Sequence, residues 1–183
     1  MPRPGALILV VGPSGAGKDT LMAAAKAALA DDPNFVFARR VITRDAVASL
    51  EDHDSIDVAG FEAAKARGEF ALTWEAHGLS YGIPISIETE LAAGRTVVMN
   101  GSRRMIGDAQ ARYPRCLVTL ITADPEVRAK RLAGRGRETE AEITERLRHE
   151  GAPVPDDVEV VRIDNSGDLA TAVAALVRAL RQA

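Results

Sequence analysis

The chain has 183 residues, enough for one domain with a real hydrophobic core. It is 46% hydrophobic and 27% charged with a net charge of −3, which fits an ordinary globular protein and argues against strong nonspecific binding to nucleic acid. The single cysteine, Cys116, excludes an internal disulfide, and no apolar run approaches a membrane span or a signal peptide. A cytoplasmic setting is expected, with neither nucleic acid nor membrane as partner; oligomeric state stays open.

The first predicted element is a buried strand, Ala6–Val11. It runs into GPSGAGKDT, residues Gly12, Pro13, Ser14, Gly15, Ala16, Gly17, Lys18, Asp19 and Thr20, and then into an alanine-rich helix over Lys18–Leu29. Strand, glycine loop and helix in that order are the context a phosphate-binding loop requires. The glycines let the backbone wrap a polyphosphate with its N–H groups inward, and the helix N-terminus adds its dipole. Lys18 is placed to reach the terminal phosphates of a nucleoside triphosphate. The residue after the lysine is usually Ser or Thr, whose hydroxyl ligates Mg²⁺; here it is Asp19. A carboxylate beside a triphosphate is repelled unless a cation lies between them, so Asp19 is expected to act on Mg²⁺ directly or through a water. Thr20 is expected to face the α-phosphate.

The segment from Asn34 to Pro84 does not fit a simple strand–helix unit. Within it Phe70, Leu72 and Trp74 alternate with Ala71, Thr73 and Glu75, which predicts a half-exposed strand with Trp74 on its core face. Further strands are predicted at Thr96–Met99, Leu117–Thr122 and Val158–Ile163, and helices at Arg103–Arg112, Pro125–Leu132 and Asp168–Arg181. Asp124-Pro125 reads as a helix start with Asp as cap, and Thr139 with Glu142 as a capping box. On the last helix Leu169, Val173, Leu176, Val177 and Leu180 are expected to pack into the core. Alternating strands and helices predict an α/β protein with a mainly parallel sheet. Between Arg128 and Arg148 lies an arginine-rich stretch broken by Gly134 and Gly136, the composition a closing lid over phosphates needs. A solvated pair of charged helices is the plainer reading of the same stretch.

GPSGAGKDT, Thr43-Arg44, Gly68-Glu69-Phe70, Tyr81-Gly82, RLAGRGRE from Arg131, and Arg146-Leu147 together resemble guanylate kinases over nearly the whole length. The resemblance implies one P-loop kinase domain over residues 1–183, with a parallel five-stranded sheet flanked by helices. Its core would be residues 1–38 and 94–183, a small acceptor-binding subdomain about 39–93, and an arginine-rich lid about 131–142. It implies that Thr43-Arg44 and Tyr81-Gly82 hold the acceptor phosphate, and that the lid clamps ATP. The departures are informative: no second arginine follows Arg44 closely, and Leu72 and Thr73 stand near where guanine is read by an acid. Asn100 stands where an aspartate is usual.

GPSGAGKDT, RRVITR, Glu51-Asp52-His53, WEAHGLSYGI and VVMNGSRRM together resemble the ribose 1,5-bisphosphate phosphokinases of phosphonate catabolism more closely. That resemblance implies ATP-dependent conversion of α-D-ribose 1,5-bisphosphate to 5-phospho-α-D-ribose 1-diphosphate, with ATP as co-substrate, Mg²⁺ as metal and a phosphorylated ribose as partner. Residue chemistry alone implies a P-loop kinase with a small, phosphorylated acceptor. Arginine's planar fork suits phosphate oxygens. Lys18, Arg131, Arg135 and Arg137 are the expected catalytic residues. Arg40, Arg44, Glu51, His53, Glu75, His77, Tyr81, Asn100, Arg103 and Arg146 are the expected acceptor-site residues, with Arg39 and Arg104 as further cations. Two other readings stand beside this one: a guanylate or other nucleoside monophosphate kinase, and a catalytically inactive guanylate-kinase-like interaction module.

Overall fold

The computed structural model describes residues 4–44, 53–136, 139–148 and 153–183. Glu51 and Arg137, both expected at the site, lie outside the described residues.

Strand β1 (Leu7–Val11) is buried along its whole length, as its unbroken apolar sequence requires for the centre of a parallel sheet. The sheet has five strands in the order β2-β7-β1-β8-β9, all parallel. Its other members are β2 (Phe35–Phe37), β7 (Thr96–Asn100), β8 (Cys116–Thr122) and β9 (Val160–Asp164). The period of two sends alternate residues of β1 to opposite faces. Ile8 and Val10 pack with Leu21 and Ala25 of α1 (Lys18–Ala28) and with Leu176 and Leu180 of α7 (Leu169–Arg181). Leu7, Leu9 and Val11 pack with Ile106 and Ala109 of α4 (Ile106–Arg112) and with Ala71, Leu72 and Ile83 from a second sheet. Each fully buried Leu, Ile or Val among these contributes about 2 kcal/mol over its exposed state, and each alanine methyl about 1 kcal/mol or less.

The second sheet has the order β4-β3-β6-β5. Strands β3 (Arg40–Ile42), β5 (Phe70–Ala76) and β6 (Leu79–Pro84) pair antiparallel, and β4 (His53–Ser55) runs parallel to β3. Helix α2 (Val58–Ala66) starts where the Asp57 side chain accepts from the Gly60 N–H at 2.6 Å, and its Phe61 stacks on Phe70 at 4.8 Å. Between Phe70 and Leu72 the register with β6 slips by a bulge. The extra residue reverses the side-chain alternation, because each residue of slip exchanges the two faces. Phe70 therefore covers Phe61 and Gly82, while Leu72 and Trp74 join the core on the other face. The expected shared face of Phe70, Leu72 and Trp74 is thus corrected.

The two sheets are joined at that bulge. Arg112 of α4 donates to the Ala71 carbonyl at 2.7 Å and to Glu88 Oε1 at 2.6 Å. Glu88, on α3 (Ile87–Ala92), also accepts from the Tyr113 hydroxyl at 3.1 Å.

Other local expectations are adjusted. Strand β2 falls in the segment that showed no simple unit. The helix after β7 opens with a 3-10 turn, Arg103–Met105, before α4. Asp124 stands before α5 (Pro125–Gly134) with extended backbone and Pro125 inside the helix, but its side chain makes no capping bond. Ala172, Leu176 and Leu180 form the buried stripe of α7; Leu169 shares their face but is the first residue of the helix and is left exposed there. The Thr139 capping box is present: Glu142 Oε2 accepts from the Thr139 N–H at 2.7 Å, and the Glu142 N–H donates to Thr139 Oγ1 at 3.3 Å, opening α6 (Glu140–Arg148).

Candidate active site

A cleft of about 1080 Å³ opens at the C-terminal edge of the parallel sheet, where crevices between parallel strands receive ligands. Its floor is the loop after β1. Gly15 and Gly17 have φ of +80° and +83°, conformations open to glycine, and a Cβ on Gly17 would stand 2.4 Å from Asn165 Nδ2. The loop's carbonyls are held from behind. Arg128 Nε donates to the Ser14 carbonyl at 3.0 Å, Arg131 Nη1 to that of Ala16 at 3.2 Å, and Asn165 Nδ2 to that of Ala16 at 2.8 Å. Arg131 Nη2 also donates to the Asn165 carbonyl at 2.7 Å. The Ala16 N–H closes the turn onto the Pro13 carbonyl at 3.2 Å. With carbonyls engaged on the outer side, N–H groups of a glycine loop of this kind can form an anion-binding concavity.

Lys18, the first residue of α1, is half-buried in this floor. Burial pushes its ammonium down to about 8, with Arg40, Arg103 and Arg135 pressing the same way and Asp19 opposing them. Three guanidiniums around one lysine form a field that a polyphosphate would neutralise, and that is the physical fit of this site to ATP.

The second sheet makes the second wall. Arg40 lies over the Tyr81 ring at 5.3 Å, and Tyr81 stacks on Trp74 at 5.2 Å with planes 9° apart. His77 and Gly78 form the two-residue turn between β5 and β6, with φ of +53° and +74°, as a type I′ hairpin demands. That turn carries His77 to the cleft. Thr43 is pinned to β6, its Oγ1 accepting from the Ser80 N–H at 2.8 Å. The third wall is the run after β7, Gly101 to Arg104, and the fourth is Arg135 after α5 with Arg146 and Arg148 of α6, beside Glu142 and Glu145.

The cleft therefore collects Gly12, Pro13, Ser14, Gly15, Gly17, Lys18, Asp19, Arg40, His77, Tyr81, Arg103, Arg135 and Arg146 from the expected set. Ala16 is buried beneath the loop, and Thr20 is exposed away from the lining, so the expected approach of Thr20 to the α-phosphate has no geometric support. Arg131 faces the loop's carbonyls, not the cleft lining. Glu75 is exposed and off the lining: Trp74 and Ala76 line the cleft, and strand alternation turns the residue between them to the other face. His53 and Arg44 stand behind Arg40, off the lining, with Arg44 Nη2 3.5 Å from His53 Nε2. Burial lowers the His53 imidazole's affinity for a proton, and Arg44, Arg40 and Arg39 lower it further. Asn100 is buried at the end of β7 and donates to Asp19 Oδ1 at 2.5 Å.

Trp74 was expected in the core; it packs there with one side and lines the cleft with the other. Arg128 and Asn165 were missed as supports of the loop. Position held the signal for Asn165, which follows β9 as Gly12 follows β1, at the same sheet edge. Among the described residues no cluster of three His, Cys, Asp or Glu could hold a metal alone. A magnesium bound through one carboxylate, phosphate oxygens and waters needs no such cluster, and Asp19 fits that role.

A glycine loop with its lysine, at the edge of a parallel sheet and ringed by arginines, defines a P-loop phosphotransferase. The fold agrees with the guanylate kinase of Anaplasma phagocytophilum, with a TM-score of 0.71 at 17% identity over 98% of this chain and 86% of that one. Among curated proteins, "Ribose 1,5-bisphosphate phosphokinase PhnN" of Brucella melitensis is 47% identical over 178 residues, covering 97% of this chain and 93% of its own length. The protein of that name from Acidiphilium cryptum is 52% identical over 160 residues, 87% of this chain and 85% of its own. A "Bifunctional ribose 1,5-bisphosphokinase-thymidine phosphorylase" of Cupriavidus necator is 46% identical over 99% of this chain, which spans 30% of that protein. No protein-family model matches the chain. The chain belongs to the ribose 1,5-bisphosphate phosphokinase family and is a kinase.

Proposed function

We propose that this enzyme transfers the γ-phosphoryl group of ATP to the 1-phosphate of α-D-ribose 1,5-bisphosphate, yielding ADP and 5-phospho-α-D-ribose 1-diphosphate. The observation that supports the reading is the lining on the side we assign to the acceptor, the second sheet and the run after β7. Arg40, Arg103 and Arg104 line the cleft there, and the charges of Arg40 and Arg103 act on Lys18. The lining acids, Asp19, Glu142 and Glu145, come from α1 and the lid, and none of the described ones comes from β5 or β6 to read a base. This wall suits a bisphosphate better than a purine.

The acceptor oxygen belongs to a phosphate and is anionic near neutral pH, so no general base is needed. It attacks the γ-phosphorus as the bond to the β,γ-bridging oxygen breaks, and ADP leaves with that electron pair. The residues position the two anions and neutralise charge. The loop's N–H groups and Lys18 hold the transferred group, Arg135 and Arg146 close on it from the lid, and Arg40 and Arg103 receive the acceptor. Arg137 belongs to the same lid in this reading. Asp19 would hold Mg²⁺, directly or through a water; when bound, the metal supplies charge neutralisation between the phosphates. We infer a cytoplasmic setting, in keeping with nucleotide chemistry; among the described residues no helix is long and apolar enough to cross a membrane.

A coupled ADP-release screen of ribose 1,5-bisphosphate against GMP, dGMP, AMP and CMP tests the proposal. The sugar bisphosphate is expected to give the highest kcat/KM. A value for GMP equal to or above it would overturn the reading, and absence of turnover with every acceptor would favour the inactive interaction module.

A further inference from the structure

Asp19 belongs to the phosphate loop's helix by sequence, but its contacts lie on the acceptor side. Its Oδ1 accepts from Asn100 Nδ2 at 2.5 Å and stands 4.0 Å from Arg40 Nη2. At 4.0 Å the second contact is an ion pair, too long for a hydrogen bond. The Arg40 side chain is only 11% exposed. An enclosed guanidinium needs a counter-charge, and Lys18 and Arg44 nearby add charge of the same sign. Asp19 and the π face of Tyr81 supply the opposite sign from two directions. Asn100 sets the direction of the carboxylate. Its amide nitrogen must face Asp19, because an amide oxygen there would be repelled, and Asn100 is itself held by burial at the end of β7. A continuous line of contacts thus runs from Asn100 through Asp19 and Arg40 to Tyr81 and Trp74. It joins the main sheet, the phosphate loop's helix and the acceptor sheet.

We propose that Asp19 is a positioning residue for the acceptor: it holds Arg40 on its stack over Tyr81, so that the donor loop and the acceptor-binding cation are set as one unit. This rests on the cleft being a phosphoryl-transfer site and does not depend on which acceptor it takes. The role is separate from metal binding. A metal role predicts no effect of Asp19 on acceptor affinity when metal is absent. A helix-dipole role predicts a loss of stability with acceptor affinity unchanged.

The test is a double-mutant cycle on acceptor binding, measured by titration calorimetry in EDTA without nucleotide. The ligand is ribose 1,5-bisphosphate, or whichever acceptor ranks first in the ADP-release screen, so failure of the substrate assignment and failure of the coupling are read separately. Asp19→Asn is expected to weaken binding about tenfold in the wild-type background and less than about twofold in Arg40→Gln, since residues acting as a unit are non-additive. Asn100→Ala is expected to weaken binding about threefold, and to have no further effect once Asp19 is Asn. Thermal melts establish that each variant is folded. Should Arg40→Gln not fold, Arg40→Lys is the second background; it loses the planar stack, and the cost of Asp19→Asn should fall below about threefold. An equal loss in both arginine backgrounds, or wild-type affinity in Asp19→Asn, would overturn the proposal.

Discussion

Arg131 reaches beneath the phosphate loop and donates to the Asn165 carbonyl at 2.7 Å, and the same guanidinium donates to the Ala16 carbonyl. An arginine of α5 is thereby fixed to the end of β9 and to the loop's outer side. Arg128, one turn earlier and buried, holds the Ser14 carbonyl in the same way. Helix α5 therefore carries two kinds of arginine. Arg128 and Arg131 shape the loop, and Arg135 at the helix end lines the cleft.

This division predicts different failures. Arg131→Ala removes charge-assisted hydrogen bonds to partly buried carbonyls and should cost about 2 kcal/mol of stability as well as raising KM for ATP. Arg135→Ala should lower turnover by about tenfold or more with little change in Tm. Arg178→Ala, on the exposed side of α7, should do neither. Melting curves and steady-state kinetics on the three variants check this; equal mild effects at all three would mean that Arg131 and Arg135 support neither the loop nor the chemistry.

Lys18→Ala should fold and lose about 10²-fold or more in kcat, since in the proposed mechanism the lysine meets charge that builds on the transferred group. Kinetics with a thermal melt control decide it, and an unchanged kcat would remove the phosphate loop's lysine from the chemistry.

The same lysine gives a pH signature. Its ammonium titrates at about 8 in the folded protein against an ordinary 10.5, chiefly through burial. Between those values the unfolded chain binds more protons than the folded one, so this group makes stability rise with pH across the window. Below about 8 both states are protonated and the burial penalty is fully present. Denaturant melts of the unliganded protein from pH 7.5 to about 10 should show that rise, and Lys18→Met should flatten it. The affinity for ATP should move the other way, falling as the ammonium is lost above about pH 8.

The chain's single tryptophan, Trp74, lines the cleft and stacks on Tyr81. Its emission should change when the acceptor is added and change little with ADP alone, because the proposed acceptor side is the second sheet and the phosphate loop is the cleft's floor. Tyr81→Leu should abolish the response. A response to ADP equal to that of the acceptor would place the acceptor elsewhere.

Gly17→Ala should be far more damaging than Gly136→Ala. Both have positive φ, each costing about 1–2 kcal/mol in an L-residue. A Cβ at Gly17 would also press on Asn165 Nδ2 at 2.4 Å, whereas one at Gly136 meets nothing within 4 Å. Tm and KM for ATP for the two variants give the comparison.

Much of this protein was legible before folding because its chemistry is local. The phosphate loop needs contiguous glycines and a lysine between a strand and a helix, and Gly12 to Lys18 carry all of that in one stretch. The apolar runs of β1, β7 and β8 announced a parallel sheet, and the Thr139 capping box is closed by two residues three apart. The directions of side chains were a different matter. One bulged residue at Ala71 reverses the faces of β5, so it separates Phe70 from Trp74 and thereby decides what lines the cleft. The roles within the arginine-rich stretch depend on what stands opposite each guanidinium: carbonyls for Arg131, open cleft for Arg135. Asp19 meets Asn100, 81 residues away in sequence, and Arg40, because the end of β7 and the start of β3 both come to where α1 begins. No residue type or spacing encodes those meetings; they follow from strand order and register, which only long-range packing fixes.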